Sequence, residues 1–186
     1  MPDEVYWESL FEVPLVLSRL GIDESLGDVV ELGCGYGTFS IPIARAISGT
    51  LHTFDIDPTM VARTIERAAK MPDARIVCQV RDVTEQGFGV TGVDAAFVFN
   101  LLHCDEPVAL LDHAADAVRP GGHVLVIHWR HGETPRGPSL AIRPRPEQIV
   151  AWAHQTGSLQ VEGGAIDLPP WHYGLRFHVQ SASTSH

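Results

Sequence analysis

The chain has 186 residues, 45% hydrophobic and 19% charged, the balance of one globular domain rather than of a disordered chain. Thirteen basic against 23 acidic residues give a net charge of −10, which repels phosphate backbones and disfavours non-specific DNA or RNA binding. The charge is uneven: residues 1–118 hold 7 basic and 19 acidic residues (−12), and 119–186 hold 6 and 4 (+2). Cys34, Cys78 and Cys104 form no C-x-x-C pair, so a reducing, cytoplasmic setting is expected, with no disulfide framework and no zinc knuckle. The acidic start MPDEVYWESLF has no signal-peptide pattern, and no run approaches 18 apolar residues, so no membrane association is expected.

In chain order, Trp7–Leu20 reads as one short amphipathic helix in an N-terminal segment, 1–25, that could serve as a lid. Five apolar runs follow at Asp28–Gly33, Gly49–Asp55, Arg75–Val80, Val93–Asn100 and Gly122–Trp129, short and rich in β-branched or aromatic residues, as strands buried on both faces are. Helices are expected from about Thr38 to Ile47, from Asp57-Pro58 to about Met71, and from Glu106-Pro107 to the stop at Arg119-Pro120-Gly121-Gly122. The link Asp82–Gly92, with three glycines, reads as a loop or single turn. Such alternation argues a parallel sheet with helices on both faces, spanning 26–129. Residues 130–146, with four Pro and four Arg, read as a long loop. A helix at Pro146–Gln155 and an antiparallel pair, Leu159–Leu168 and His172–Gln180, fill 147–180, and SASTSH (181–186) reads as a frayed tail.

The most informative segment is Val29-Val30-Glu31-Leu32-Gly33-Cys34-Gly35-Tyr36-Gly37-Thr38, a buried strand running through a glycine turn into a helix. Glycines there permit positive φ and let a ligand lie against the backbone. In the dinucleotide fingerprint G-x-G-x-x-G the last glycine would fall on Thr38, while Gly37 sits one place early. A Walker loop needs Gly-Lys-Ser/Thr, and the only lysine is Lys70. Glu31, two residues before the first glycine, would repel a pyrophosphate and favour a cationic ligand. Asp55 comes 18 residues after Gly37, where a strand–helix–strand unit returns to the crevice, and a carboxylate there can accept from two hydroxyls. Asp57, directly before Pro58, suits a helix cap. Ile56 and Met60 could wall a purine or pack the core, Asp82 could bind ligand or cap a turn, and Tyr36 reads as pocket wall.

In these residues the sequence resembles the class I S-adenosylmethionine-dependent methyltransferases, in particular small bacterial ones grouped with ubiquinone- and menaquinone-biosynthesis enzymes. VELGCGYG matches the first motif, TFDIDP the second, VRDVTE the third, DAAFVFNLLH the fourth, and Val118-Arg119-Pro120-Gly121-Gly122 introduces the fifth strand as the family does. The resemblance, over about Leu26 to Trp129 and the terminal strand pair, implies a Rossmann-like seven-stranded α/β sheet, mostly parallel, with an antiparallel C-terminal strand. It implies S-adenosylmethionine as cofactor, held by Glu31, Gly33, Cys34, Gly35, Tyr36, Gly37, Asp55, Ile56, Met60, Asp82, Val83, Asn100 and Leu101. Asp55 would bond both ribose hydroxyls, Asp82 would accept the adenine amino group, and Asn100 and Leu101 would line the methionine end.

The acceptor is read less directly. His103 follows the fourth motif and is the candidate general base, or else a satisfied structural histidine. His128, Trp129, Arg130 and His131 end the fifth strand at the ligand edge, and Arg130, Arg136, Arg143 and Arg145 place positive charge on a loop that could meet an anionic small acceptor or simply be solvated. Tyr6 and Trp7 could contribute from an N-terminal lid. Candidate acceptor residues are therefore Tyr6, Trp7, His128, Arg130 and Arg143. His128-x-x-His131 with His103 lacks carboxylate or cysteine spacing, so no metal is expected. A non-catalytic module binding S-adenosylmethionine or S-adenosylhomocysteine remains the alternative, and a nicotinamide oxidoreductase is disfavoured by the misplaced third glycine.

Overall fold

Successive residues of the central strands point to opposite faces, and both faces are covered. In the computed structural model, which describes residues 2–180, β1 (Val29–Leu32), β2 (Leu51–Asp55), β3 (Ile76–Val80), β4 (Val93–Phe99) and β5 (Val118–Trp129) run parallel in the order β3-β2-β1-β4-β5. On one face Val30, Ala96, Val98, Val124 and Val126 share a core with Leu110 and Leu111 of α6 (Pro107–Ala117) and Ile149 of α7 (Pro146–Thr156). On the other, Val29, Ala95, Phe97, Leu125 and Ile127 join Leu17 and Leu20 of α2 (Val13–Leu20) and Ile43 of α3 (Ser40–Ala46). Neighbours in a strand thus belong to different cores, which is why these strands are unbroken apolar runs. β3 departs from that expectation: it lies at the sheet edge, and Val77 (39%) and Val80 (55%) are exposed.

Helix starts follow local chemistry. Asp57 caps α4 (Pro58–Ala68), its carboxylate accepting the Thr59 N–H at 2.8 Å, and Pro146 opens α7, where a missing N–H costs no hydrogen bond. The third-to-fourth strand link carries a single turn, α5 (Val83–Gln86).

Three expectations are corrected. The N-terminal helix is two helices, α1 (Glu4–Glu8) and α2, because Pro14 inside a continuous helix would cost a hydrogen bond and clash with the Leu10 carbonyl; in the first turn of α2 its missing N–H costs no helical bond and no preceding turn is there to clash. The expected strand Leu159–Leu168 is split into β6 (Leu159–Val161) and β7 (Ile166–Leu168) by a turn containing Gly163 at φ +69°. Both pair antiparallel with β8 (His172–Val179), itself antiparallel to β5, so the expected seven-stranded sheet is present with this one strand in two pieces. Finally, β5 starts at Val118, which pairs with Val93, and the register irregularity between Val93 and Ala95 absorbs the segment read as a helix stop. Residues 130–145 contain no helix or strand. The tail 181–186 lies outside the described residues. Among the described residues no helix is long and apolar enough to cross a membrane.

The entries to β1 and β2 touch backbone to backbone: a Cβ on Gly49 would lie 2.2 Å from the Gly27 carbonyl carbon. Gly49→Ala must therefore force the two strands apart, and we expect it to destabilise the fold by about 2–3 kcal/mol in urea unfolding. An unchanged midpoint would contradict this close approach.

Candidate active site

The parallel strands all end at one edge of the sheet, and a cleft of about 420 Å³ opens there. Its lining comes from four successive strand ends: Gly33, Cys34 and Gly35 after β1; Asp55 and Ile56 after β2; Arg81 and Asp82 after β3; Asn100 and Leu101 after β4.

The glycine loop adopts left-handed backbone at Gly33 (φ +81°), Gly35 (+50°) and Gly37 (+77°). At Gly33 a Cβ would also meet Leu101 Cδ1 at 3.0 Å, so residue type there is limited twice over. The Gly33 and Cys34 N–H groups donate to the Phe54 carbonyl at 2.7 and 3.2 Å, and the Gly35 N–H donates to Asp55 Oδ2 at 3.0 Å. The other Asp55 oxygen accepts the Asp57 N–H at 3.0 Å. The Asp55 carboxylate thus ties the turn after β1 to the end of β2. From α4, Thr64 donates to the Gly35 carbonyl (3.0 Å) and Arg67 to the Tyr36 carbonyl (2.9 Å), bracing the loop from behind.

An ion-pair network docks α1 onto α4 above this loop: Glu4 bonds Arg63 (2.8 Å) and Arg67 (3.1 Å), and Glu8 bonds Arg67 (2.5 Å). The Tyr36 hydroxyl donates to the Pro2 carbonyl at 2.7 Å. This docking places Trp7 in the wall of the cleft and also in the wall of a second chamber of about 670 Å³. Asn100 is shared between the two cavities as well; it holds φ +60°, and its buried Oδ1 has no protein partner. The second chamber, broadly open to solvent, is bordered by Thr134–Pro138 of the long loop and by His103 and Trp129. Burial holds His103 below the ordinary imidazole value, so it is neutral at pH 7 and able to take a proton.

The sequence profile of methyltransferase domains matches residues 29–122, half of the chain. The chain belongs to this family. A ribosomal protein L11 methyltransferase of Methylococcus capsulatus is 30% identical over 98 residues, covering 53% of this chain and 32% of that protein, so the chain spans about a third of that relative's length. Among solved structures, a SAM-dependent methyltransferase from Aquifex aeolicus superimposes with TM-score 0.81 at 20% identity, covering 95% of this chain and 94% of that one. Magnesium protoporphyrin IX methyltransferase from Synechocystis, solved with bound SAH, gives TM-score 0.71 at 19% identity, covering 95% and 84%.

Several candidate site residues of this methyltransferase domain sit elsewhere than the sequence suggests. Glu31 does not reach the cleft. It is 2% exposed beneath the loop, accepting hydroxyl hydrogen bonds from Ser40 (2.5 Å) and Thr53 (2.7 Å), and burial pushes its carboxyl up to about 7. It therefore ties α3 to β2 and holds the loop instead of attracting a cation. Tyr36, Gly37 and Met60 are also absent from the lining: Tyr36 turns to Pro2, and Gly37 packs against Thr64 and Ile41. Asp82 lines the cleft and at the same time caps α5, accepting from the Thr84 N–H (3.0 Å) and hydroxyl, which holds its carboxyl below the usual range. Cys34 and Val83 line the cleft.

On the acceptor side, His103 and Trp7 line the second chamber, but Tyr6 lines neither cavity. Arg143 forms part of the chamber wall, yet its guanidinium is committed to the carbonyls of Arg130, Gly132 and Pro138 and to the Thr134 hydroxyl, so it staples the loop. Arg130 turns outward to the His172 carbonyl and the Asp167 carboxylate. His128 is completely buried, in edge contact with His103 at 5.5 Å between ring centres, and burial pushes it down to about 3. It is a neutral packing residue behind His103. Arg81, Phe99 and Cys104, which also line the cleft, were legible only as chain neighbours of motif residues.

The raised Glu31 value has a thermodynamic consequence. Its carboxyl stays protonated in the fold while the unfolded chain ionises near 4.5, so its stabilisation is whole below pH 4.5 and lost as pH rises through about 7. Glu31→Gln removes that dependence, and its stability relative to wild type should improve by up to about 3 kcal/mol between pH 4.5 and 8 in urea unfolding. A difference independent of pH would show that Glu31 is ionised in the fold.

Proposed function

We propose that this methyltransferase passes the methyl group of S-adenosylmethionine from the strand-end cleft to a small acceptor seated in the adjoining chamber. The observation that carries this reading is the wall that the two cavities share at Trp7 and Asn100, across which a sulfonium held beside Asn100 would face the second chamber. In the cleft, Asp55 is oriented by two backbone N–H groups to receive the ribose hydroxyls. Asp82 would accept the adenine amino group, with Ile56 and Val83 against the purine and Asn100 and Leu101 at the methionine portion; all five line the cleft. Two carboxylates also suit a cationic donor.

The sulfonium is an activated leaving group, so the protein's chief task is to hold the nucleophile in line behind the methyl carbon, and alignment alone can supply about 7–11 kcal/mol of barrier reduction. An acceptor bearing a proton needs a base, and His103 is a neutral imidazole on the acceptor side. Of the loop arginines, Arg136 lines the chamber with no hydrogen bond or ion pair from its guanidinium among the described residues, so it is the group available to an anionic acceptor. The relative named for ribosomal protein L11 has a protein substrate in its name. Here a cavity of about 670 Å³ bordered by Thr134–Pro138 has the volume of a small-molecule site, which supports a small acceptor.

Transfer from methyl-labelled S-adenosylmethionine to a panel of small thiols, phenols, carboxylates and metalloid oxyanions tests the reading. We expect turnover with at least one anionic acceptor. Failure across the panel, with the donor still bound, would leave a binding module instead. With the active acceptor, His103→Ala should lower kcat by about 100-fold and leave donor affinity intact. The acidic limb of the rate should lie below pH 6.5, because ionising the depressed His103 removes the base, and that limb should vanish in the variant. Arg136→Gln should raise the acceptor KM by about tenfold with kcat unchanged.

A further inference from the structure

Away from the cleft, two histidines and a glutamate converge on one face of the C-terminal part of the sheet. His123 of β5 and His178 of β8 are directly opposite in the antiparallel register, with ring centres 5.9 Å apart. On the far side of β8, Gln160 of β6 faces His178, and Glu162 follows two residues later on the same face. Glu162 Oε2 lies 3.3 Å from His123 Nε2. One ligand atom from each of the three side chains lies within 4.8 Å of the others, and the cluster is partly open to solvent. His123 is six residues back along β5 from Trp129, roughly 20 Å of strand, so the cluster is separate from the methyl-transfer site.

We infer that His123, Glu162 and His178 form a binding site for a divalent cation of the zinc class, which pins β6 and its turn to the sheet. Two imidazoles and a carboxylate with a solvent-facing fourth position are a zinc ligand set. Hard cations such as magnesium and calcium prefer all-oxygen cages and are not matched. The cluster also sits where the sheet has least support. β6 has three residues, and the turn after it contains Gly163 and Gly164, so a cross-link through Glu162 joins three adjacent strands at the point where backbone pairing stops. One feature opposes the ion: Arg176, two residues before His178 on the same face, has its Nε 3.4 Å from Glu162 Oε2. Its Nη1 is held by the Leu20 carbonyl, so the guanidinium keeps an anchor when Glu162 turns to the metal. The competing charge lowers affinity without closing the site.

The test is calorimetric titration of the chelator-treated full chain with zinc chloride, paired with thermal unfolding and with the cobalt(II) spectrum. We expect one equivalent of zinc, a rise in melting temperature with zinc, and tetrahedral cobalt bands without a thiolate charge-transfer band, which separates this site from the three cysteines. Glu162→Gln and His178→Ala should each weaken zinc at least about tenfold, the least that losing even an outer-shell partner costs. Arg176→Gln should tighten it. Glu162 is exposed, so metal-free unfolding of Glu162→Gln should match wild type and confirm that the loss is not misfolding. Absence of zinc binding by the wild type, unchanged affinity in Glu162→Gln and His178→Ala, or a thiolate cobalt spectrum would each overturn the proposal.

Discussion

The hydrogen bond from the Gly35 N–H to the Asp55 carboxylate, 3.0 Å long, joins the turn after β1 to the end of β2 at the point where the ligand enters. Bonds to a charged acceptor contribute about 1.5–3 kcal/mol, and this one is reinforced from the other side by the Asp57 N–H. Its chemical consequence outweighs its energy. Three N–H groups at the start of the turn are committed, those of Gly33 and Cys34 to the Phe54 carbonyl and that of Gly35 to Asp55. Beside the turn stands a fixed carboxylate, suited to hydroxyls and to a cationic donor.

The acceptor side is organised by a second polar centre. Arg143 gathers the carbonyls of Arg130, Gly132 and Pro138, and so gives a proline- and glycine-rich segment a defined path over the chamber without helix or strand. Phe11, stacked on His172 at 4.5 Å, and the Glu4–Arg63–Arg67 network hold the N-terminal helices against the same opening from the opposite side. Trp7 stands where these two supports meet, which is why one residue bounds both cavities.

The parallel core was legible because each strand is a short apolar run and each glycine of the turn is needed for its backbone. The residues of the cleft follow directly from the strand ends. Glu31 was misplaced by reading it as a neighbour of the glycines. Its position in β1, opposite Thr53 and alternating with Val30 and Leu32, turns it into the layer beneath. Pro14 carries the break between α1 and α2, a local signal outweighed by amphipathic spacing. No local pattern distinguishes the inward Arg143 from the free Arg136, since only the folded loop decides which guanidinium meets carbonyls. The His123, Glu162 and His178 cluster is likewise invisible in sequence, its members lying 39 and 16 residues apart and meeting only through the register of β5, β8 and β6.

The central claim is that this cleft, with Asp55 held at its mouth, takes a sulfonium nucleoside and not a nicotinamide dinucleotide. Calorimetric titration of the same preparation with S-adenosylmethionine and with NAD tests it directly. The account predicts one equivalent of S-adenosylmethionine, with affinity lost in Asp55→Ala, and no heat with NAD. Saturable NAD binding without S-adenosylmethionine binding would contradict it.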